Sequence, residues 1–359
     1  GYIHNREGSC AQCTDQAHSS VYVRWGHREC PSGAKKLYTG YAAGSHYKHG
    51  GSGANTLCLH PQPSYLDHND ADNNGALLYQ VEYENTGAAD VNANHEATCT
   101  VCMVTGASYT QWGRHECPSG QKQEYKGYIM ASHYKHSKST YVCVDSARQT
   151  TPQSNGGNQD GNLWYTTEYE NFKSGPGYIH NREGSCAQCT DQAHSSVYVR
   201  WGHRECPSGA KKLYTGYAAG SHYKHGGSGA NTLCLHPQPS YLDHNDADNN
   251  GALLYQVEYE NTGAADVNAN HEATCTVCMV TGASYTQWGR HECPSGQKQE
   301  YKGYIMASHY KHSKSTYVCV DSARQTTPQS NGGNQDGNLW YTTEYENFKS
   351  GPGYIHNRE

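Results

Sequence analysis

An internal repeat without a single substitution constrains this chain more than any other feature of its sequence. Residues 177–352 reproduce residues 1–176 letter for letter, and residues 353–359 begin a third copy. Identical units can stack and bury surface against one another, as in solenoids and arrays. We therefore expect one repeat unit at 1–176, a second at 177–352, and the start of a third at 353–359.

Each unit contains a second, diverged repeat. The segment Trp-Gly-His-Arg-Glu-Cys-Pro-Ser-Gly begins at Trp25, and an altered copy begins at Trp112. A Ser-His-Tyr-Lys-His segment follows each block at the same distance, at Ser45 and at Ser132. This spacing predicts two pseudo-equivalent halves in each unit. The predicted halves are 1–88, 89–176, 177–264 and 265–352.

Short runs of β-branched and aromatic residues predict strands along the whole chain. Residues 20–25 alternate in this way, and residues 76–84 place apolar side chains on one face. With 31 tyrosines, only 2 phenylalanines and few aliphatic residues, the core must be thin, whereas 16 cysteines are available to brace it. The predicted class is all-β, built from small disulfide-stapled β modules in a secreted, extracellular protein.

The cysteine spacing favours disulfides over zinc. Each half has one Cys-x-x-Cys pair and two widely separated single cysteines, whereas a zinc site usually needs a second close pair. We expect the pairs to bond within their own half, Cys10 and Cys13 with Cys30 and Cys58, and Cys99 and Cys102 with Cys117 and Cys143. The other cysteines predicted to form disulfides are Cys186, Cys189, Cys206, Cys234, Cys275, Cys278, Cys293 and Cys319.

Two kinds of loop are candidate metal sites, although no cofactor is required by the pattern. Asp70, Asp72 and Asn74 precede a glycine as in the first half of a calcium loop, but the acidic residue that would complete such a loop is replaced by Val81. An Asx-rich turn explains the same residues. The loop histidines could instead bind a transition metal, stack between units or lie beside cross-linked tyrosines. These histidines are His46, His49, His133 and His136.

No catalytic or nucleic-acid-binding pattern is present. The chain lacks the Gly-x-Ser-x-Gly, His-Glu-x-x-His and phosphate-loop motifs, so we predict that it is not an enzyme. Its net charge is −6 with no basic stripe, and it has no apolar run of membrane-spanning length, so neither nucleic acid nor a membrane is an expected partner. Protonation of all 23 histidines would carry the charge to +17. We therefore expect solubility in acid and association at higher pH.

Several segments resemble one known family. The Trp-Gly-x-x-x-Cys-Pro block and the runs Gly44 to Cys58 and Cys99 to Tyr128 resemble the non-collagenous module of the sponge short-chain collagen-like family. The resemblance implies an extracellular, cysteine-bridged module with no established activity. The chain departs from the family in lacking a Gly-x-y collagen tract and a cysteine after the last predicted strand.

The resemblance also implies an alternative module frame, 14–189. In that frame Cys186 and Cys189 either close back on the module behind them or bond to Cys206 and Cys234 ahead, and the segment from Gly177 becomes an ordered connection between neighbours. The residues expected between modules are Tyr2, Ile3, Tyr178, Ile179, Tyr354 and Ile355.

Two functions follow as expectations. The first is an extracellular structural protein whose identical modules assemble with copies of themselves, head-to-tail and laterally, into a bead-like filament of the byssus or holdfast type. The alternative is a secreted multivalent lectin or adhesive that binds glycans through the His/Tyr loops or the Asp70 loop.

Overall fold

The computed structural model describes most of both repeats. It covers residues 20–63, 77–84, 94–152, 163–170, 172, 175–242, 251–260, 270–288, 290–328, 330 and 337–343. Within these ranges every regular element is a β-strand, so the predicted all-β class is confirmed. The same ranges contain no helix that is long and apolar enough to cross a membrane.

The strands of the first repeat match the predicted run 20–25, whereas the predicted run 76–84 holds only two short strands, Tyr79–Gln80 and Glu82–Tyr83. They are β1 (Ser20–Trp25), β2 (Lys35–Gly44), β3 (Leu57–Leu59), β4 (Tyr79–Gln80), β5 (Glu82–Tyr83), β6 (His95–Glu96), β7 (Thr98–Val104), β8 (Ala107–Trp112), β9 (Lys122–Ala131), β10 (Val142–Asp145) and β11 (Leu163–Tyr169).

The second repeat has the same strand order with two differences. It begins with a strand whose counterpart in the first repeat lies outside the described residues, and residues 283–288, which correspond to β8, form no strand. Its strands are β12 (Ser185–Asp191), β13 (Ser196–Trp201), β14 (Lys211–Gly220), β15 (Leu233–Leu235), β16 (Ala252–Gln256), β17 (Glu258–Tyr259), β18 (His271–Glu272), β19 (Thr274–Val280), β20 (Gly303–Ala307), β21 (Val318–Asp321) and β22 (Leu339–Thr342).

Each strand that carries a Cys-x-x-Cys pair lies between two strands that precede it in the chain. β7 is antiparallel to both β1 and β2, β12 to both β8 and β9, and β19 to both β13 and β14. A strand with two hydrogen-bonded neighbours satisfies its backbone on both sides. Each such strand therefore completes a sheet that the earlier part of the chain begins.

The sheet closes into a barrel across the repeat boundary. Following the pairings, β9, β12, β8, β15, β14, β16 and β11 neighbour one another, and β11 returns to β9. The barrel takes strands from both sides of residue 176, so residues 1–176 and 177–352 do not pack separately here. Its interior holds tyrosine, leucine and cysteine side chains, among them Tyr141, Tyr169, Leu235 and Leu254.

Six disulfides join the described strands to one another or to the segments between them, and the expected pairing within halves is wrong. The bonds are Cys30–Cys102, Cys58–Cys99, Cys117–Cys189, Cys143–Cys186, Cys206–Cys278 and Cys234–Cys275. Cys99 and Cys102 therefore bond backward to Cys58 and Cys30, not forward to Cys117 and Cys143. Residues i and i+3 of a strand face opposite sides of the sheet. β7 is therefore bonded on one face to Cys58 of β3 and on the other face to Cys30, in the segment between β1 and β2.

The disulfides also settle the connectivity of Cys186 and Cys189. Both close back on the preceding strands, whereas Cys206 and Cys234 bond to a later pair. Cys10 and Cys13 lie outside the described residues, and Cys293 and Cys319 are free thiols. Six disulfides indicate folding in an oxidising compartment.

Candidate functional site

The insertion of β12 between β8 and β9 is the junction between the two repeats. Gln188, at the centre of β12, is paired with Thr110 on one side and with Tyr125 on the other. Every residue of β12 is buried, and the Thr110 hydroxyl donates a 2.9 Å hydrogen bond to Oε1 of Gln188. The strand is held by both its backbone and its side chains, and its two disulfides fix it covalently.

The Trp-Gly block turns the chain beside this junction. Gly113 has a φ of +84°, a conformation that favours glycine, and a Cβ atom there would lie 2.5 Å from the Tyr178 hydroxyl. That hydroxyl donates a 2.7 Å hydrogen bond to the carbonyl oxygen of His236. Glycine is therefore required both by the turn and by the close approach of Tyr178.

Of the residues expected between modules, Tyr178 lies at the repeat junction. Its ring stacks on Phe172 at 4.7 Å and contacts the edge of Tyr169. Ile179 is largely exposed. The other members of that set, Tyr2, Ile3, Tyr354 and Ile355, lie outside the described residues.

The corresponding place in the second repeat is a groove. Residues 283–288 and 298–302 have the sequences of β8 and of the first half of β9, but neither segment forms a strand. Tyr285 is 61% exposed and Trp288 is 50% exposed, whereas Tyr109, the equivalent of Tyr285, is 8% exposed. The groove has a volume of about 990 Å³, and both free cysteines line it.

The groove is lined by segments that correspond to β8 and β9, both of which pair with β12 at the repeat junction. Its thiols, Cys293 and Cys319, occupy the positions of Cys117 and Cys143. Burial raises the pKa of the Cys319 thiol, so this group is protonated at neutral pH and becomes more nucleophilic as the pH rises.

The Ser-His-Tyr-Lys-His loops form a ladder of aromatic rings. In the first loop His46 stacks on His49 with a centroid separation of 4.1 Å, and both rings contact the edge of Tyr79. In the second loop His133 and His136 contact Tyr165 in the same way. Within each loop the two histidines therefore pack against each other and against a tyrosine of a nearby strand.

The ladder connects consecutive loops. The tyrosine of each loop contacts the second histidine of the next loop, in the pairs Tyr47–His136, Tyr134–His225 and Tyr223–His312, at centroid distances of 4.9, 4.7 and 4.8 Å. Tyr310, the tyrosine of the fourth loop, is 83% exposed. Burial lowers the pKa of His136 to about 4, with smaller effects from His133 and Lys48.

These loops do not gather a metal-ligand set. In the described part of the chain, no three His, Cys, Asp or Glu side chains are grouped so that they could hold a metal ion. The calcium-loop residues Asp70, Asp72 and Asn74 fall outside that part, so their role stays a prediction.

Sequence reasoning missed the groove and two polar contacts between repeats or strands. The buried Arg24–Asp145 ion pair, 2.6 Å long, joins β1 to β10. Lys138 donates hydrogen bonds to the Ser221 hydroxyl and to the carbonyl oxygen of Lys314, and burial lowers its pKa to about 7.

No known protein-family model matches the chain.

Proposed function

We propose that this chain is a secreted structural protein whose repeats are joined, by inserted and disulfide-bonded strands, into a continuous filament. The observation that carries the proposal is the insertion of β12, which belongs to the second repeat, between two strands of the first. A linker of this kind transmits tension through two disulfides and a strand ladder. A thread or holdfast needs this property, and a flexible tether lacks it.

The disulfide arrangement limits how far such a filament stretches. Three disulfides, Cys30–Cys102, Cys117–Cys189 and Cys206–Cys278, each close a loop of 72 residue steps. The other three disulfides lie inside these loops. In the oxidised chain the disulfides carry the tension, so the roughly 216 residues inside the three loops are not stretched. At about 3.3–3.6 Å per extended residue, reduction should release roughly 700–780 Å of contour length.

Two measurements test the proposal. Electron microscopy at pH 8 should show filaments with a regular spacing of about one module, and reductant should disperse them. Single-molecule extension of the 359-residue chain should gain the predicted length when reductant is added. Dispersed molecules under both conditions, with no gain in contour length, would contradict a structural role.

Glycan binding is the alternative function. The described His/Tyr loops use their ring faces on one another, so no contact in them specifically favours a sugar ligand. A glycan array with the oxidised chain tests this alternative directly, and a calcium titration tests the Asp70 loop.

A further inference from the structure

The amine of Lys138 joins three of the histidine loops across the boundary between the repeats. These are the second, third and fourth loops, at residues 132–141, 221–231 and 308–317. From the second loop, Nζ of Lys138 donates a 2.7 Å hydrogen bond to the hydroxyl of Ser221, a buried residue of the third loop. It donates a second hydrogen bond, 2.5 Å long, to the carbonyl oxygen of Lys314 in the fourth loop. We name this arrangement the Lys138 bridge.

We propose that the Lys138 bridge makes the contact between neighbouring repeats dependent on pH. The bridge stabilises the contact when the amine is neutral, and protonation of the amine weakens the contact. The inference rests on the proposed structural function and names how that function is regulated.

The bridge has the same period as the sequence. Lys314 follows Lys138 by 176 residues, which is the length of one repeat. The Lys138 amine therefore binds the backbone of its own counterpart in the next repeat. A contact between equivalent positions of adjacent units can recur at each boundary of a tandem array. The bridge is therefore a property of the repeat and does not depend on the ends of this chain.

Backbone hydrogen bonds hold the three loops in a stack. The amide of Ser139 donates to the carbonyl oxygen of Ser228, and the amide of Thr316 donates to the carbonyl oxygen of Ala230, at 3.0 and 2.9 Å. Hydrogen-bonded chains lie about 4.7–4.9 Å apart, so the second and fourth loops are separated by about 10 Å. The side chain of Lys138 passes the third loop and ties the outer two together.

The hydrogen bonds of Lys138 match a neutral amine. A neutral amine has two N–H groups, whereas an ammonium has three. The acceptors of Lys138 among the described residues are the Ser221 hydroxyl and the Lys314 carbonyl oxygen. Two N–H groups are therefore satisfied, and the third N–H of an ammonium would lack an acceptor in a partly buried place, which is unfavourable.

The three loops offer the amine no opposite charge. They contain histidine and lysine but no aspartate or glutamate. Burial lowers the pKa of His225, with smaller effects from His222, Lys138 and His133, so the titratable neighbours of the bridge are cationic when charged. The fourth loop adds the exposed Lys314. Burial lowers the pKa of Lys138 itself to about 7. Protonation therefore adds a charge that these loops do not neutralise.

The lowered pKa gives the direction of the pH effect. The unfolded chain binds a proton at Lys138 below its ordinary pKa of 10.5, whereas the folded chain binds it only below about 7. Between these values the unfolded state holds one proton more, so stability increases as the pH rises and is lost as the pH falls toward 7. For one proton the unfolding equilibrium constant changes by up to about tenfold per pH unit.

Denaturant titrations of the oxidised 359-residue chain at pH 7, 8 and 9 test the inference. Lys138→Met removes the titrating amine, and the control Lys135→Met removes an exposed lysine of the same loop. The unfolding constants of the unmodified chain and the control should fall with pH more steeply than that of Lys138→Met, by up to about tenfold per pH unit. The comparison uses the slope against pH, so a constant loss of stability in Lys138→Met does not affect it.

A direct titration of the amine is independent of any variant. With lysines labelled with ¹³C at Cε, the NMR spectrum of the unmodified chain should contain one lysine signal that titrates near pH 7. This signal should be absent from Lys138→Met and present in Lys135→Met. If every lysine signal titrates near the ordinary pKa of 10.5, or if the two variants have equal pH slopes, the inference is wrong.

Electron microscopy at pH 8 and pH 6 separates the bridge from the structural function. Filaments of the unmodified chain that form at pH 8 and become shorter at pH 6 would support both. Filaments of equal length at the two pH values would uphold the structural function and reject the bridge as its regulator. A lysine signal that titrates near pH 7 in a chain that forms no filaments would uphold the pH-dependent contact and contradict the structural function.

Discussion

Residues 107–131 and 283–307 have the same sequence and different structures. In the first region Ala107–Trp112 and Lys122–Ala131 are strands, whereas among the described residues of the second region only Gly303–Ala307 form a strand. The local propensity of the two regions is identical, so the difference comes from β12, which pairs with both strands of the first. These strands are therefore stabilised by their neighbour more than by their own residues.

The largest loss of stability should come from removing the Cys117–Cys189 disulfide, which closes the longer of the two loops at the junction formed by β12. In the chain-entropy description, closing a loop of 72 residue steps stabilises the folded state by about 4 kcal/mol. The C117S/C189S variant should lose about this much free energy of unfolding in a denaturant titration. The matched control is C293S, which removes the thiol equivalent to Cys117 where no bond exists, and it should leave the monomer unchanged. Equal losses in both would contradict the comparison.

A proline in β12 should make residues 107–112 as poorly protected as residues 283–288. Gln188→Pro removes an amide and its ladder hydrogen bond from the centre of β12 and should cost about 1–3 kcal/mol, while Gln188→Ala keeps the amide. Hydrogen exchange on a segmentally labelled chain should show residues 107–112 protected about 1000-fold relative to residues 283–288, consistent with an opening free energy of about 4 kcal/mol. In the proline variant this difference should largely disappear. Persistent protection would show that these strands form without β12.

The all-β fold class could be predicted from the sequence, whereas the disulfide pairing and the order of the strands in the sheet could not. Alternation in 20–25 and the cysteine content predicted disulfide-bonded strands, because both signals are local. The pairing of Cys99 with Cys58 is not local, since it depends on where β7 inserts, and adjacent pairing within a half was the simpler assumption. The histidine loops could be predicted as a cluster, but the contact of each tyrosine with the next loop depends on the stacking of strands.

Acid should weaken the ladder that connects the loops. Burial lowers the pKa of both His136 and His225 to about 4, below the ordinary value of 6.5. The unfolded chain therefore takes up these protons first, and stability is lost as the pH falls from about 6.5 to about 4. The loss should be on the order of 1 kcal/mol per imidazole after allowance for solvent screening.

The acid effect is measured by comparing thermal unfolding at pH 7.5 and pH 4.5. His136→Phe keeps a ring against Tyr47 and removes the titrating group, so the variant should lose less stability in acid than the unmodified chain. His291→Phe changes an exposed histidine and serves as the control. A larger acid loss in His136→Phe than in the control would contradict the assigned cause.

The smallest predicted effect isolates one contact of the ladder. Tyr134 and Tyr310 have nearly the same local environment, since each ring stacks on the histidine before it and lies about 5 Å from the ammonium of the lysine after it. They differ in the contact of Tyr134 with His225, at 4.7 Å. Tyr134→Ala should therefore destabilise the monomer by about 0.5–1.5 kcal/mol more than Tyr310→Ala. Denaturant titrations of the two variants measure this difference. Equal losses of stability would show that the contact between Tyr134 and His225 does not stabilise the fold.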